Sequence, residues 1–375
     1  MRFPEFEGKW EEKDFEQICT ITTGNKNTQD KEDDGCYPFY VRSETIEKIN
    51  SYSFDGEAIL TAGDGVGVGK IFHYINGKVG VHQRVYILSN FKCFGKYAYY
   101  YFASRFYDRV KRMSAKNSVD SVRRDMIAQM PISLPGFDEQ NIIARFLTLL
   151  DERITTQNKI IEDLKLLKST ISEKLFNRHL RFEKLDGGTS SDWRIQKLGD
   201  FMTIPDKIPT PKIDKNKLLT VKLHLKGVIK NDSTESLSTQ GTVYYVRQKG
   251  QFIYGKQNLF NGALGIIPNE YDGFLSSNDV PTLNINSDKI NPFYLLYYIG
   301  RKNYYVPLES LAIGSGSKRI HESTVLNLEI AVPTLKEQSI IVSAICSIDK
   351  KIEIETFVLK GLNFQKQYLL SNVFV

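Results

Sequence analysis

Two stretches of this chain repeat each other in the same order. Near the start stand Arg2-Phe3, Phe6, Trp10, Phe15 and Ile18, and past the midpoint stand Arg181-Phe182, Leu185, Trp193, Leu198 and Phe201, with identical apolar spacing after each tryptophan. Further on, Leu134-Pro-Gly-Phe-Asp-Glu139-Gln140-Asn-Ile-Ile143 matches Val332-Pro-Thr-Leu-Lys-Glu337-Gln338-Ser-Ile-Ile341, and Leu150-Asp151-x-x-Ile154 matches Ile348-Asp349-x-x-Ile352. These later blocks lie 198 residues apart and the tryptophans 183, so the second copy carries the longer stretch between its landmarks. A period this long implies two copies of one domain-sized unit, with shared framework and different filling.

Within a unit the pattern changes character once. Short runs such as Tyr37 to Arg42, Ala58 to Thr61 and Arg84 to Leu88, bounded by Gly, Asn and Asp, read as strands, and Tyr97 to Met113 reads as a helix packed on them. The second copy repeats this with strands at Thr242 to Val246 and Gln251 to Tyr254 and a helix over Pro292 to Tyr305. Each globule is therefore expected to be α+β.

After Pro135 the apolar residues Ile142, Ile143, Phe146, Leu150, Ile154, Ile161, Leu164, Ile171 and Leu175 follow steps of three, four and seven, which predicts a long helix with a narrow seam. Thr334-x-x-Glu337 is a capping box, copied as Gly136-x-x-Glu139. A helix from Asp138 to Phe176 would be about 58 Å long. It ends before the flexible joint Gly187-Gly188-Thr-Ser-Ser. A lone helix of this kind would leave its seam wet, and the second copy, from Glu337 to about Phe374, is the expected antiparallel partner. The seam is assigned to Phe146, Leu150, Ile154, Ile161, Leu164 and Ile171 on one helix and Ile345, Ile348, Ile352, Leu359 and Leu362 on the other. The expected segments are 1–137 as a first reading domain, 138–180 as a central spacer helix, 181–335 as linker and second reading domain, and 336–375 as the C-terminal spacer helix.

Several functions are disfavoured. The longest apolar runs fall short of the ~18 residues that span a bilayer, and the N-terminus lacks a secretory pattern, so a cytoplasmic protein is expected. Cys19, Cys36, Cys93 and Cys346 form no C-x-x-C pair, and His73, His82, His179, His224 and His321 lack metal-ligand spacing. Gly63-Asp-Gly-Val-Gly-Val-Gly69-Lys70 imitates a phosphate loop, but Ile71 follows the lysine and the glycine spacing fails. Asn-Pro-Pro-Tyr and Asp-Pro-Pro-Tyr are absent, which removes adenine methylation chemistry, and Glu11-x-Lys13 reads as a solvated charge pair rather than the tail of a nuclease motif. The net charge of +6 permits a polyanionic partner without requiring one.

Two similar readers on a helical spacer suit a bipartite target, and DNA offers such targets at fixed separations. Here the chain resembles the specificity (S) subunit of type I restriction-modification enzymes. The resemblance rests on Arg-Phe-x-x-Phe-x-x-x-Trp at the head, Gly56-Glu-Ala-Ile-Leu through Gly69-Lys70, and the L-P-x-x-x-E-Q-x-x-I and L-D-x-x-I blocks, which recur with Val332 and Ile348 in place of leucine. It implies that each globule is a target recognition domain and that the paired helices are spacer and dock for two methyltransferase (M) subunits. A motor-nuclease (R) subunit would join for cleavage. It further implies a non-catalytic chain without metal or cofactor, S-adenosylmethionine being held by M, and ATP and Mg by R. A single-chain nuclease and a protein-only coiled-coil scaffold are the alternatives.

Base readout uses Arg, Lys, Asn and Gln on exposed loops. The candidates are Lys70, His82, Gln83, Arg84, Lys116, Asn117, Arg123 and Arg124 in the first reader, and Lys256, Gln257, Asn258, Asn278, Lys318 and Arg319 in the second. If the helices are the ruler, inserting one heptad into both is expected to lengthen the gap between the recognised half-sites, as read by mapping modified adenines. An unchanged gap would remove the helices from that role.

Overall fold

The computed structural model describes residues 2–65, 67–113, 121–180, 193–210, 213–231, 242–314 and 316–374. The seam expected from sequence lies on two long helices, α4 (Phe137–Phe176) and α8 (Leu335–Asn372). The chain forms two compact units, Met1–Ile160 with Glu355–Val375 and Ile161–Ile354, so each unit owns part of each helix. This partition cuts across the expected segments, which had set the helices apart from the globules.

On α4 the inward positions are 143, 147, 150, 154, 157, 161, 164, 168, 171 and 175; adding 198 to the first nine gives the inward positions of α8, and Val373 follows just past its end; every one is buried or half-buried. Alternating steps of four and three keep one stripe on one side of a helix, the pattern of knobs-into-holes packing. The stripe corrects the seam at its start. Leu147 is fully buried, whereas Phe146 is 39% exposed, its ring edge against Phe3 at 6.1 Å. Both positions are apolar, and one residue turns the side chain by about 100°, so composition alone could not choose between them. The stripe also contains polar members, Gln157 with Glu355 and Lys168 with Lys366, at repeat-equivalent positions.

In the first unit the start of α4 lies antiparallel to the end of α8. Lys366 reaches Asp151 at 2.5 Å, Gln157 donates to the carbonyl of Glu355 at 3.1 Å, and Ile143, Leu147 and Leu150 share a core with Leu369, Val373 and Phe374. The second unit repeats this with the other halves: Lys168 reaches Asp349 at 2.6 Å, and Leu175 shares a core with Ile341 and Ile345.

The globule of the first unit is built on a six-stranded sheet. Its strands are β2 (Thr20–Thr23), β3 (Tyr37–Tyr40), β4 (Ile46–Ile49), β5 (Phe54–Ala62), β6 (Phe72–Val81) and β7 (Val85–Ser89), in the order β2-β7-β5-β6-β3-β4. The sheet curls back on itself, because the chain leaving β2 sends the N–H groups of Asn25 and Lys26 to the Val81 carbonyl at the end of β6. Helix α2 (Gly95–Met113) buries Tyr97, Phe102, Phe106 and Val110 against Ile59 and Leu88. A short strand β1 (Glu11–Asp14) pairs antiparallel with β8 (Pro131–Leu134) just before α4. Between β1 and β2 lies the short helix α1 (Phe15–Ile18), and α3 (Arg124–Ala128) precedes β8.

The second unit keeps this frame and changes its filling. β9 (Arg194–Lys197) pairs with β18 (Glu329–Val332) in the register of β1 with β8. The sheet between them is reduced to four short strands in the order β10-β17-β14-β15, namely Met202–Thr203, Thr282–Ile285, Phe252–Tyr254 and Leu264–Ile266. Two ribbons flank it, β11 (Leu219–Val221) with β12 (Val228–Lys230) and β13 (Tyr244–Val246) with β16 (Leu275–Ser277). The helix expected from Pro292 to Tyr305 is two helices, α5 (Pro292–Ile299) and α6 (Lys302–Tyr305). Asn291 caps α5 with its side chain, and Gly300 ends it. Helix α7 (Glu322–Leu326) precedes β18.

The repeated sequence blocks are the joints of this frame. The buried amide of Gln140 accepts from the Phe94 N–H at 2.9 Å and donates to the Pro135 carbonyl at 2.8 Å; Gln338 does the same with Asn291 and Pro333 at 2.7 and 2.9 Å. Tyr97 donates to the Ser133 carbonyl and Tyr294 to the Ala331 carbonyl, at 2.7 and 2.6 Å. Tyr100 donates to Asp151 and Tyr297 to Asp349, at 2.9 and 2.8 Å, tying reader to helix.

Replacing Leu147 or its repeat mate Ile345 by alanine is expected to cost about 2–5 kcal/mol by emptying fully buried volume, whereas Phe146→Ala is expected to cost less than about 1.5 kcal/mol. Urea midpoints at constant m-value check this. Equal losses at 146 and 147 would mean the seam runs one position earlier.

Candidate functional site

In each globule several of the sequence candidates gather around one backbone junction. In the first, Gly63 N–H donates to the Arg84 carbonyl at 2.8 Å, and Val122 N–H donates to the Gly63 carbonyl at 2.8 Å. In the second, Lys256 N–H donates to the Asp279 carbonyl and Ile320 N–H donates to the Lys256 carbonyl, both at 2.9 Å. Each junction ties the end of a central strand to the loop before its sheet neighbour and to the segment leading into a short helix, α3 in one unit and α7 in the other. The backbone frame is the same and the side chains are not: Gly63 stands where Lys256 does, and Arg84 where Asp279 does.

Around the first junction Asp64 accepts from Arg42 Nη1 at 3.0 Å and from Arg84 Nη1 at 2.5 Å. Burial works to raise the Asp64 pKa, but the hydrogen bonds from Arg84 and Arg42 outweigh it and hold the carboxyl below its ordinary value. Gln83, Arg123 and Arg124 are exposed beside this cluster. Lys70 is exposed with its ammonium 5.2 Å from the Tyr107 ring centre. In the glycine-rich turn the amides of Val68, Lys70 and Ile71 bond to Gly65 and Gly67 carbonyls, so those donors are used within the turn.

His82 departs from the expectation of an exposed reader. It is 4% exposed, its Nδ1 accepts from the Arg84 N–H at 3.1 Å, and its Nε2 lies 3.2 Å from Thr28 Oγ1. Burial, reinforced by Arg42, holds its pKa below the usual histidine value. It shapes the loop that presents Gln83 and Arg84. Lys116 and Asn117 lie outside the described residues.

Around the second junction, Asn278 is exposed and accepts from Lys207 Nζ at 3.2 Å, Arg319 pairs with Asp279 at 3.1 Å, and Lys318 pairs with Glu309 at 3.3 Å. Gln257 and Asn258 are half-buried in the turn after β14. Lys256 is a correction of the same kind as His82. It is 3% exposed, its ammonium 3.0 Å from Glu322, because a charge can be buried there only with its counterion. Burial works to raise the Glu322 pKa, yet the Lys256 hydrogen bond, a backbone hydrogen bond and the charges of Lys256 and Lys207 together leave it lowered.

Four residues of these clusters escape sequence reasoning: Arg42, Asp64, Lys207 and Arg247. The glycine-rich turn drew attention to the neighbourhood of Asp64, but nothing in the spacing joins it to Arg42. Arg247 is 4% exposed and burial pulls its pKa down to about 10. It donates to Ser276 Oγ at 2.7 Å, Thr282 Oγ1 at 3.1 Å and the Ser277 carbonyl at 3.3 Å, and so holds together the loop that carries Asn278 and Asp279.

A family model described as the type I restriction modification DNA specificity domain matches residues 7–166 and again 190–363. A specificity subunit of the type I restriction enzyme EcoDI from Escherichia coli is 24% identical over 188 residues, 50% of this chain and 40% of that protein. The MjaVIII specificity subunit of Methanocaldococcus jannaschii is 25% identical over 352 residues, 87% of this chain and 82% of that one. A putative MjaX specificity subunit from the same organism is 28% identical over 258 residues, 58% of its length. Two of these relatives are thus matched over less than two thirds of their own length. Among solved structures, the S subunit of a type I restriction-modification system from M. genitalium superposes with a TM-score of 0.66 at 16% identity, covering 100% of this chain and 99% of that one. A chain from a structure of type I system complex assembly gives 0.55 at 14% identity, covering 99% and 98%.

Arg247→Met removes the hub of the second loop cluster and leaves its acceptors dry. A loss of about 2–4 kcal/mol is expected from broken charged hydrogen bonds, with faster amide exchange over 276–282 and unchanged exchange in the first reader. Unchanged protection of that loop would show that Arg247 does not organise it.

Proposed function

Because this chain belongs to the family defined by the type I restriction modification DNA specificity domain, we propose that it is the non-catalytic subunit that reads a bipartite DNA target and positions methyltransferase and restriction subunits on it. The observation that carries the reading is the repeated junction: one backbone frame, used twice, presenting different charged and amide side chains. A duplicated frame with divergent tips is what two readers of two different half-sites require, since phosphate contacts position a protein and side chains on base edges specify the sequence.

On this reading the first half-site is contacted from around Asp64 by Lys70, Gln83, Arg84, Arg123 and Arg124, and the second from around Lys256 by Gln257, Asn258, Asn278, Lys318 and Arg319. His82 and Lys256 act through the loops they hold. The methyl donor S-adenosylmethionine belongs to the methyltransferase partner, and ATP and Mg to the restriction partner. The protein works in the cytoplasm, where the DNA is; among the described residues no helix is long and apolar enough to cross a membrane.

The helices supply the dock. In the first unit Phe357 and Phe364 on α8 are 77% and 73% exposed, seven residues apart, and Tyr368 follows at 54%. Each phenylalanine stands two residues after a seam position and so faces away from the seam. Exposed aromatics aligned on one helix face are the anchors expected of a protein interface.

Replacing residues 1–137 by the equivalent segment of another family member is expected to change one half of the modified site and leave the other. An unchanged site would sink the two-reader model. Phe357→Asp with Phe364→Asp is expected to weaken capture of the methyltransferase subunit at least tenfold in co-purification, while circular dichroism stays native. Undiminished capture would place the dock elsewhere.

A further inference from the structure

Asp64 offers a carboxylate to two arginines that come from different parts of the first reader. Arg42 follows β3 and Arg84 precedes β7; each gives one Nη1 hydrogen to a separate oxygen of Asp64, at 3.0 and 2.5 Å. The carboxylate is 24% exposed, while Arg42 and Arg84 are 40% and 60% exposed. Among the described residues neither guanidinium has another side-chain or backbone partner, so Nε and Nη2 of both are open donors.

The surrounding chain is built to hold this arrangement. Gly65 has φ +84°, and a Cβ there would meet the Arg42 side chain at 3.7 Å; a Cβ on Gly67 would meet the Arg42 carbonyl oxygen at 2.7 Å. The glycines of the turn thus let it close on Arg42. On the other side, the Gly63 N–H bond to the Arg84 carbonyl and the bridge between Asp64 and Ser121 fix the carboxylate's own backbone.

We propose that Asp64 is a positioning residue that presents Arg42 and Arg84 as a paired fork, each to its own guanine edge in the half-site read by the first domain, with Arg42 a specificity-determining residue beside Arg84. This rests on the DNA-reading function argued above. Two features favour a base edge over a phosphate. Two guanidiniums and one carboxylate leave a single net positive charge, and a phosphate seated in the fork would be repelled by the carboxylate between its two donors. A phosphate also needs charge more than direction, whereas guanine O6 and N7 need donors held at fixed angles. Holding each guanidinium by one nitrogen supplies that direction before DNA arrives, which lowers the entropy lost on binding.

The test uses the full chain assembled with its methyltransferase partner, reading the modified motif by sequencing and binding to duplexes with each base pair changed in turn. Arg42→Ala and Arg84→Ala are each expected to relax discrimination at one G·C pair of one half-site by roughly ten- to a hundredfold, the range of a good bidentate contact, with the other half-site read normally. Asp64→Asn is expected to relax the same pairs by a smaller factor. Arg42→Lys and Arg84→Lys keep the charge and are expected to lose the discrimination while general affinity stays, which holds the test open if an alanine variant fails to assemble. A uniform loss of affinity over all sequences, with a salt slope lower by about one, would make the fork a phosphate clamp and overturn the proposal. So would an unaltered motif, or the absence of guanine from the half-site that changes. If the unsubstituted complex shows no sequence preference, the DNA-reading function itself fails, an outcome distinct from all of these.

Discussion

Within each unit the frame rests on the antiparallel contact of one half of α4 with one half of α8. Its stripe repeats in steps of four and three over ten positions of α4 and nine of α8, and the two stripes are related by the 198-residue repeat. An all-apolar seam would tolerate slippage, since leucine packs on isoleucine in several registers. Here Asp151 meets Lys366 and Asp349 meets Lys168, the same pair of repeat positions used once in each unit. A pair whose side chains are about one-third exposed contributes little to stability. It penalises any register that leaves a charge among apolar neighbours, and so acts on uniqueness more than on strength.

The same two aspartates join helix to reader. Tyr100 and Tyr297, from the helices packed on each sheet, both donate to them. Each carboxylate therefore answers to two elements at once, and Gln140 and Gln338 pin the chain before those reader helices in the same way in both units. The repeated residues of the sequence are thus not readers. They are the joints that let one frame carry two different fillings, a six-stranded curled sheet in one case and a four-stranded sheet with two ribbons in the other. The charge clusters sit where the fillings differ, around one junction that the frame places alike in both.

Much of this was legible in the sequence because it is periodic or repeated. The helical stripe, the Leu-Pro and Val-Pro starts of the long helices and the doubling of the unit each follow from spacing, and local physics converts spacing into geometry without knowledge of distant residues. The break of the second reader's helix at Gly300 was visible as a glycine, but a glycine in an apolar run signals only a weak point, and the surrounding packing decides whether the helix ends there. Phe146 and Leu147 were indistinguishable by composition and are separated by rotation about the helix axis alone.

By itself, then, the sequence determined that the chain is duplicated, that long amphipathic helices follow α+β globules, and that candidate reading loops are rich in lysine, arginine and amides. Only the tertiary structure decided which of those side chains are exposed. Lys256 and His82 look like their neighbours in sequence, yet one is buried on Glu322 and the other beside Thr28, whereas Arg42, just past the end of β3, meets Arg84 across Asp64. The physical reason is that exposure and charge pairing are properties of contacts between residues dozens of positions apart, and no local pattern encodes which carboxylate will stand beside which cation once the sheet has curled.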